Sequence, residues 1–223
     1  QRTSSAASDV YKRQVIFPIH DYKGRVVAFG GRILGDGEPK YLNSPETPVF
    51  QKRSELYNLH RARSNIAQQG HSIVVEGYMD VVALAQHGIE HAVAALGTAT
   101  TSRHLERLFR LAPSIIFCFD GDRAGRTAAW RALETALPEL GGGRQISFLF
   151  LPDGDDPDSL VRREGGSTFA ALAAKATSLP DFLFEKLSAE IDLGRIDGRA
   201  RLVELAKPLL AKIPEGPLRE LMH

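Results

Sequence analysis

The chain is poor in cysteine, in net charge and in long hydrophobic runs, and each shortage narrows what it can be. A single cysteine, Cys118, among 223 residues excludes an intrachain disulfide and a zinc ribbon built from cysteines, so no zinc is expected. It stands in the apolar run Ile115-Ile116-Phe117-Cys118-Phe119, which predicts a buried core thiol, compatible with a reducing cytosol. The formal net charge is +1, from 28 Lys and Arg against 27 Asp and Glu, so any affinity for nucleic acid must come from a local basic surface. Apolar runs fall far short of the ~20 residues that span a bilayer, and the start lacks a signal-peptide pattern, so no membrane partner is expected. The 7 histidines form no HExxH or comparable ligand spacing. What is present is ordinary globular composition, 43% hydrophobic and 25% charged, in a chain long enough to bury a core.

Residues 1–14 are rich in Ser and Ala, show no period and read as a foreign or unstructured leader. Residues 15–21 and 25–33 are β-type runs joined around Tyr22-Lys23-Gly24, a hairpin pattern. Residues 35–48 form a loop dense in Gly, Pro, Asn and Ser, and 56–69 carry a helical period. A regular alternation follows, with strands expected at 71–75, 91–96, 114–119 and 145–151 and helices at 79–86, 102–111 and 123–137. Short strands, apolar on both faces and separated by helices, predict an α/β fold whose parallel sheet is covered on both sides. Helices are then expected at 158–163, 167–174, 179–190 and 199–211, with a flexible turn at Gly141-Gly142-Gly143 and no internal repeat.

Acidic residues follow three of the four strands: Glu76 and Asp80 after the first, Asp120 and Asp122 after the third, and Asp153, Asp155, Asp156 and Asp158 after the fourth. Parallel strands share one carboxyl edge, where open α/β sheets bind ligands. A lone Asp there is most simply a helix cap, and Asp122 and Asp158 fit that role. The set is harder to explain so. Two unpaired carboxylates ~4 Å apart repel by roughly 4 kcal/mol at an effective dielectric of ~20, so such an edge must take up protons or cations. Oxygen donors without His or Cys suit Mg²⁺ or Mn²⁺.

The runs Val75-Glu76-Gly77-Tyr78-Met79-Asp80, Phe119-Asp120-Gly121-Asp122-Arg123-Ala124-Gly125 and Asp156-Pro157-Asp158 resemble the signature of the Toprim domain, which bacterial primases share with topoisomerases and some nucleases. Phe29-Gly30-Gly31-Arg32, Pro39-Lys40-Tyr41-Leu42-Asn43-Ser44-Pro45-Glu46-Thr47 and Leu96-Gly97-Thr98-Ala99 are similar to the DnaG-type bacterial primase family. The resemblance runs from about residue 15 onward. It implies a Toprim-type parallel sheet flanked by helices, with a partial N-terminal part of the primase core at 15–70, the Toprim catalytic domain at 71–165 and a helical subdomain at 166–223.

By the same resemblance, Glu76, Asp120 and Asp122 are the principal catalytic metal ligands, and Asp80, Asp156 and Asp158 complete the metal-binding set. Asp153 and Asp155 are expected to be surface acids. Arg32, Lys40, Tyr41 and Lys52 would line the groove for nucleotide phosphates, while Arg123 and Arg126 would either pair with the acids or touch substrate. The implied reaction is synthesis of short RNA primers on a single-stranded DNA template. A 3′-hydroxyl attacks the α-phosphate of a ribonucleoside triphosphate, with Mg²⁺ or Mn²⁺ assistance and loss of pyrophosphate. Implied partners are template, ribonucleoside triphosphates, the RNA–DNA hybrid and, through a domain expected to be missing here, the replicative helicase, in the cytoplasm at the nucleoid or replisome. The chain therefore reads as a fragment, expected to bind metal but to initiate little. Three rivals stay open. Another Toprim enzyme, a topoisomerase or nuclease, is one; a topoisomerase would need a nucleophilic tyrosine among Tyr11, Tyr22, Tyr41, Tyr57 and Tyr78. A dehalogenase-type phosphatase using Asp120 is the second, and a catalytically inactive binding fragment is the third.

Overall fold

The computed structural model describes residues 14–34 and 41–222. Strands β1 (Gln14–His20), β2 (Val26–Ile33) and β3 (Tyr41–Asn43) form an antiparallel sheet in that order. In β1 the inward residues Phe17 and Ile19 alternate with more exposed neighbours, as a half-buried strand requires. The β1–β2 turn is organised by Asp21, whose carboxylate accepts from the backbone N–H of Lys23 at 2.9 Å and of Arg25 at 3.0 Å. Gly24 closes it with φ 85°, a conformation that glycine adopts without strain. The first strand starts one residue earlier than expected, because Gln14 pairs with Ile33; residues 1–13 of the supposed leader lie outside the described residues. Strand β3 falls in a stretch read as loop, and three residues are too few to show a period.

The larger sheet is built from β4 (His71–Val75), β5 (Ala92–Ala94), β6 (Ser114–Phe119), β7 (Gln145–Phe150) and β8 (Thr177–Ser178), in the order β5-β4-β6-β7-β8. The first four are mutually parallel, and β8 joins antiparallel. Helices α1 (Leu59–Gln69), α2 (Tyr78–Gln86), α3 (Ser102–Phe109), α4 (Arg123–Ala136), α5 (Pro157–Glu164), α6 (Gly166–Ala173), α7 (Leu179–Ser188), α8 (Ile196–Leu210) and α9 (Pro217–Met222) surround it. Val74, Ile115, Phe117 and Phe119 pack with α1, α3, α4, α7 and α8 on one face. Ile73, Val75, Ile116 and Cys118 pack with α2, α5 and α6 on the other. Two dry faces explain why these strands read as continuous apolar runs. Cys118 is 1% exposed, the buried thiol expected. The edge strand β8 comes from the segment assigned to helices alone, and two residues carry no strand pattern. Among the described residues no helix is long and apolar enough to cross a membrane.

Tyr78, the first residue of α2, fastens the two sheets together. It is 4% exposed, stacks on Phe17 of β1 at 5.4 Å and meets Tyr57 edge-on at 4.8 Å. Its hydroxyl donates to Asn43 Oδ1, and Asn43 Nδ2 donates to the Leu96 carbonyl at 3.3 Å. Burial pushes this phenol up to about 12. Gly30 is needed opposite, since a Cβ there would come within 2.8 Å of the ring. Replacing Tyr78 by Ala should cost about 3–5 kcal/mol in urea denaturation. Replacing it by Phe should cost only about 1 kcal/mol, for the hydroxyl.

His104 of α3 is fully buried. Its Nδ1 accepts from the Thr101 N–H at 3.3 Å while Nε2 donates to the Lys52 carbonyl at 3.1 Å. Only the neutral ring satisfies both, and burial with nearby Arg107 lowers its pKa to about 4. The folded state thus disfavours protonation. Stability should fall by up to about 3 kcal/mol as pH drops from about 6.5 to about 4, with no further loss from this group below that. The advantage of the wild type over His104→Gln should shrink across that window, as measured by denaturant midpoints.

Candidate functional site

Adjacent parallel strands β4 and β6 run their carboxyl ends to the same edge, and the chain leaves them to opposite sides, β4 toward β5 and β6 toward β7. That is a topological switch point, the place where open α/β sheets hold ligands. Glu76 follows β4 and Asp120 follows β6, so the two flank it. Neither carboxylate accepts a hydrogen bond from the described residues. Partial desolvation, then Asp120 and Asp122, push Glu76 above the usual carboxylate range. Desolvation, then Asp156 and Asp122, do the same to Asp120.

The remaining acids are more occupied. Asp80 accepts from the Gly77 N–H at 3.0 Å. Burial, with Asp156, Asp120 and Asp158 adding to it, nevertheless raises Asp80 to about 7. Asp122 caps α4, accepting from Gly125 N–H at 2.7 Å through Oδ1, which leaves Oδ2 available. Asp156 caps α5 through Ser159 N–H at 2.7 Å. Asp158 is ion-paired with Arg162, and Asp155 is gripped by Arg163 at 2.6 Å through both oxygens. Arg123 and Arg126 make no ion pair with the cluster; Arg126 instead lies over the Phe150 ring at 4.9 Å. The edge therefore gathers oxygen donors that repel one another and that protein cations leave largely unneutralised. This donor chemistry fits a hard divalent cation. Among the described residues, no three of these carboxylates already converge to the reach of one ion.

Glycines set the approach. A Cβ on Gly121 would fall 2.2 Å from the Leu151 carbonyl oxygen, and one on Gly125 2.2 Å from that of Asp120. The spacing Asp-Gly-Asp-x-x-Gly is thus dictated by packing of the β6–α4 turn against the segment that follows β7 and against itself.

Tyr41 stands at this edge. Burial raises its hydroxyl, Asp80, Asp156 and Asp158 add to that, and Arg32 opposes them. The Arg32 guanidinium lies over the Tyr41 ring at 5.4 Å. These two groups of the expected phosphate groove are thus brought to the acids. Among the described residues Lys52 makes no ion pair or hydrogen bond with them: its carbonyl accepts from His104 and its N–H donates to Glu46 Oε1 at 3.0 Å. Lys40 lies outside the described residues. Beside Glu76 a cavity of about 300 Å³ is lined by Gly97, Thr98, Thr100 and Arg131, and the buried Thr98 Oγ1 has no hydrogen-bond partner among the described residues. The motif Leu96-Gly97-Thr98-Ala99 carries no pattern from which this cavity-lining role of Thr98 could be read.

Comparison with known proteins gives three family matches. A model of the DNA primase catalytic core, N-terminal domain, matches residues 1–63, and so begins inside the segment that sequence alone set apart as a leader. A Toprim-like model matches 73–161. A model of the DnaB-helicase binding domain of primase matches 180–222, which places that pattern on this chain where it was expected to be missing. DNA primase of Pseudomonas aeruginosa is 58% identical over 96% of this chain and 32% of its own length. That of Escherichia coli is 56% identical over 95% and 36%. The chain spans about a third of these curated relatives. Among solved structures, the DnaG primase catalytic domain bound to single-stranded DNA aligns at TM-score 0.88 and 55% identity, covering 94% of this chain and 68% of that one. A primase domain from Pseudomonas aeruginosa aligns at 0.90 and 58%, covering 94% and 66%.

The glycine geometry generates a test. Gly121→Ala should destabilise the fold by about 1–3 kcal/mol, visible as a lowered thermal midpoint. It should also weaken Mn²⁺ binding measured by electron paramagnetic resonance, because the displaced turn carries Asp120 and Asp122.

Proposed function

This chain belongs to the DnaG-type bacterial primase family, and on that premise we propose that its acidic edge is the nucleotidyl-transfer centre of RNA primer synthesis. The observation that carries the reading is that Glu76 and Asp120 flank the switch point with no hydrogen-bond or ion-pair partner for either among the described residues. Glu76, Asp120 and the second oxygen of Asp122 would hold the divalent cation, Mg²⁺ or Mn²⁺, with Asp80, Asp156 and Asp158 around them. When bound, the cation would supply electrostatic stabilisation of charge on the reacting phosphate. The new bond joins the primer 3′-oxygen to the α-phosphorus of a ribonucleoside triphosphate. The bond to the β-phosphate oxygen breaks, and pyrophosphate leaves with the electron pair. Arg32, held over Tyr41, meets the triphosphate, with Lys40 and Lys52 as further phosphate contacts. Thr98 Oγ1 supplies a hydrogen-bonding group to the nucleotide in the cavity beside Glu76.

Template DNA and the nascent hybrid are the partners this reading requires, in the cytoplasm at the replisome. The match of 180–222 to the helicase-binding family supports contact with a replicative helicase through α7 to α9. Family membership sets the phosphatase reading aside. The topoisomerase reading loses Tyr78 as a nucleophile, since that ring is buried.

Extension of a preformed RNA primer on single-stranded DNA, followed with labelled ribonucleotides, tests the proposal without requiring initiation. Glu76→Gln and Asp120→Asn should each lower incorporation by about 100-fold or more and weaken Mn²⁺ binding in parallel. Retention of both properties at ordinary Mg²⁺ would sink the reading.

A further inference from the structure

Away from the acidic edge, α1 and α3 gather Arg63, Arg103, Arg107 and Arg110 around an open cavity of about 410 Å³, rimmed by Tyr22 and His60. Arg107 is held by Glu55 at 2.8 Å. Arg63, Arg103 and Arg110 are exposed and, among the described residues, make no ion pair or hydrogen bond. Glu106, between Arg103 and Arg107 on α3, forms no ion pair with any of the four among the described residues. A chain of net charge +1 has thus concentrated unpaired positive charge on one face. The aromatic rim is held in place. Tyr22 is 57% exposed, but its carbonyl lies 3.2 Å from His60 Nδ1, and Gly24 packs so closely on the His60 ring that a Cβ would approach to 2.6 Å. Asp21 fixes the remainder of that turn.

We infer that this face of α1 and α3 is a docking surface for single-stranded nucleic acid, its arginines on backbone phosphates and Tyr22 stacked on an unpaired base. Arginine forks match phosphate oxygens and desolvate readily. An exposed ring beside a basic groove is the pattern that binds single strands without sequence preference. An acidic protein surface would use the arginines but has no need of the stacking platform. Along α3, Arg103 to Arg110 spans about 10 Å, room for more than one phosphate. Helix α1 leads into β4 through Gly70, so its first turn, with His60, lies toward the carboxyl edge; α3 starts from that same edge after β5. The surface therefore begins near the acidic site and runs away from it. The proposal takes its class of partner from the primase reading, but the surface acts without metal, so the two can fail separately.

The test is fluorescence anisotropy of a dye-labelled oligothymidine titrated with the whole chain in EDTA at several KCl concentrations. The triple variant Arg63→Ala/Arg103→Ala/Arg110→Ala should bind at least about 10-fold more weakly, and the slope of log K against log salt should flatten by about 2. Tyr22→Ala should weaken binding about 10-fold with the slope unchanged. Glu76→Gln and Asp120→Asn, which remove negative charge from the neighbouring edge, should not weaken oligothymidine binding, whatever they do to incorporation. Wild-type affinity and slope in the triple variant would overturn the inference. So would loss of heparin binding with oligothymidine binding intact, which would point to an acidic protein instead. Circular dichroism confirms the fold of each variant, and if the triple variant unfolds, Tyr22→Ala alone decides by the same anisotropy readout.

Discussion

Parallel pairing of β4 with β6 is the constraint on which the rest of the molecule depends. It ends two neighbouring strands at one edge, so the residues that follow them, Glu76 and Asp120, must share that edge. Partial burial, and then the neighbouring carboxylates, raise the proton affinity of Glu76, Asp120 and Asp80. Apart from the caps that Asp122 and Asp156 place on α4 and α5 and the close packing of Gly121 and Gly125, the edge is a place of repulsion. The stabilisation lies in the two dry faces of the sheet, where Phe117, Phe119 and Phe148 stack on one side and Ile116, Cys118 and Leu149 fill the other. A local conflict of this kind persists when the surrounding structure over-determines it, and such conflicts concentrate where chemistry is done.

The segment that supplies Glu76 also supplies much of the mechanical connection to the smaller sheet. Gly77 donates its N–H to Asp80, and Tyr78 passes between the sheets to Phe17, Tyr57 and Asn43. Five consecutive residues thus carry an exposed acid, a backbone donor, a buried aromatic anchor, a partly buried apolar contact and a half-buried acid. Loss of activity on changing Tyr78 would report a shift of the small sheet, and with it of Arg32 and Tyr41, and would not assign the phenol a chemical role.

The sequence was most legible where the physics is periodic. The apolar strands and the helices between them were readable because residues buried on two faces must be apolar at every position, as in Ile115-Ile116-Phe117-Cys118-Phe119. Placing Glu76 and Asp120 at one edge required only that the strands be parallel. Elements without a period were hidden: β3 and β8 are too short, and α9 lacks a buried residue. Side-chain commitments were also hidden. Sequence could treat Asp122 and Asp158 as cap or ligand, yet only coordinates show that Asp122 caps α4 while Asp158 is ion-paired with Arg162. The part played by Asn43 and Gly30 as seats for Tyr78 was invisible because it depends on contacts between segments 35 and 48 residues apart.

Net charge concealed the molecule's main electrostatic feature, which is segregation. Within a total of +1, the acids of the edge and the arginines around the cavity on α1 and α3 are set apart, and the two regions respond to solution conditions in opposite ways. At the edge, phosphate is repelled until a divalent cation reverses the local sign. On the basic face, phosphate is attracted without metal, and monovalent salt weakens the attraction by competing for the strand. Nucleic acid held by the face is therefore held independently of the state of the edge. On the proposed reading, template would stay bound while metal and nucleotide exchange, and the polymer would be kept close to a centre that would otherwise expel it.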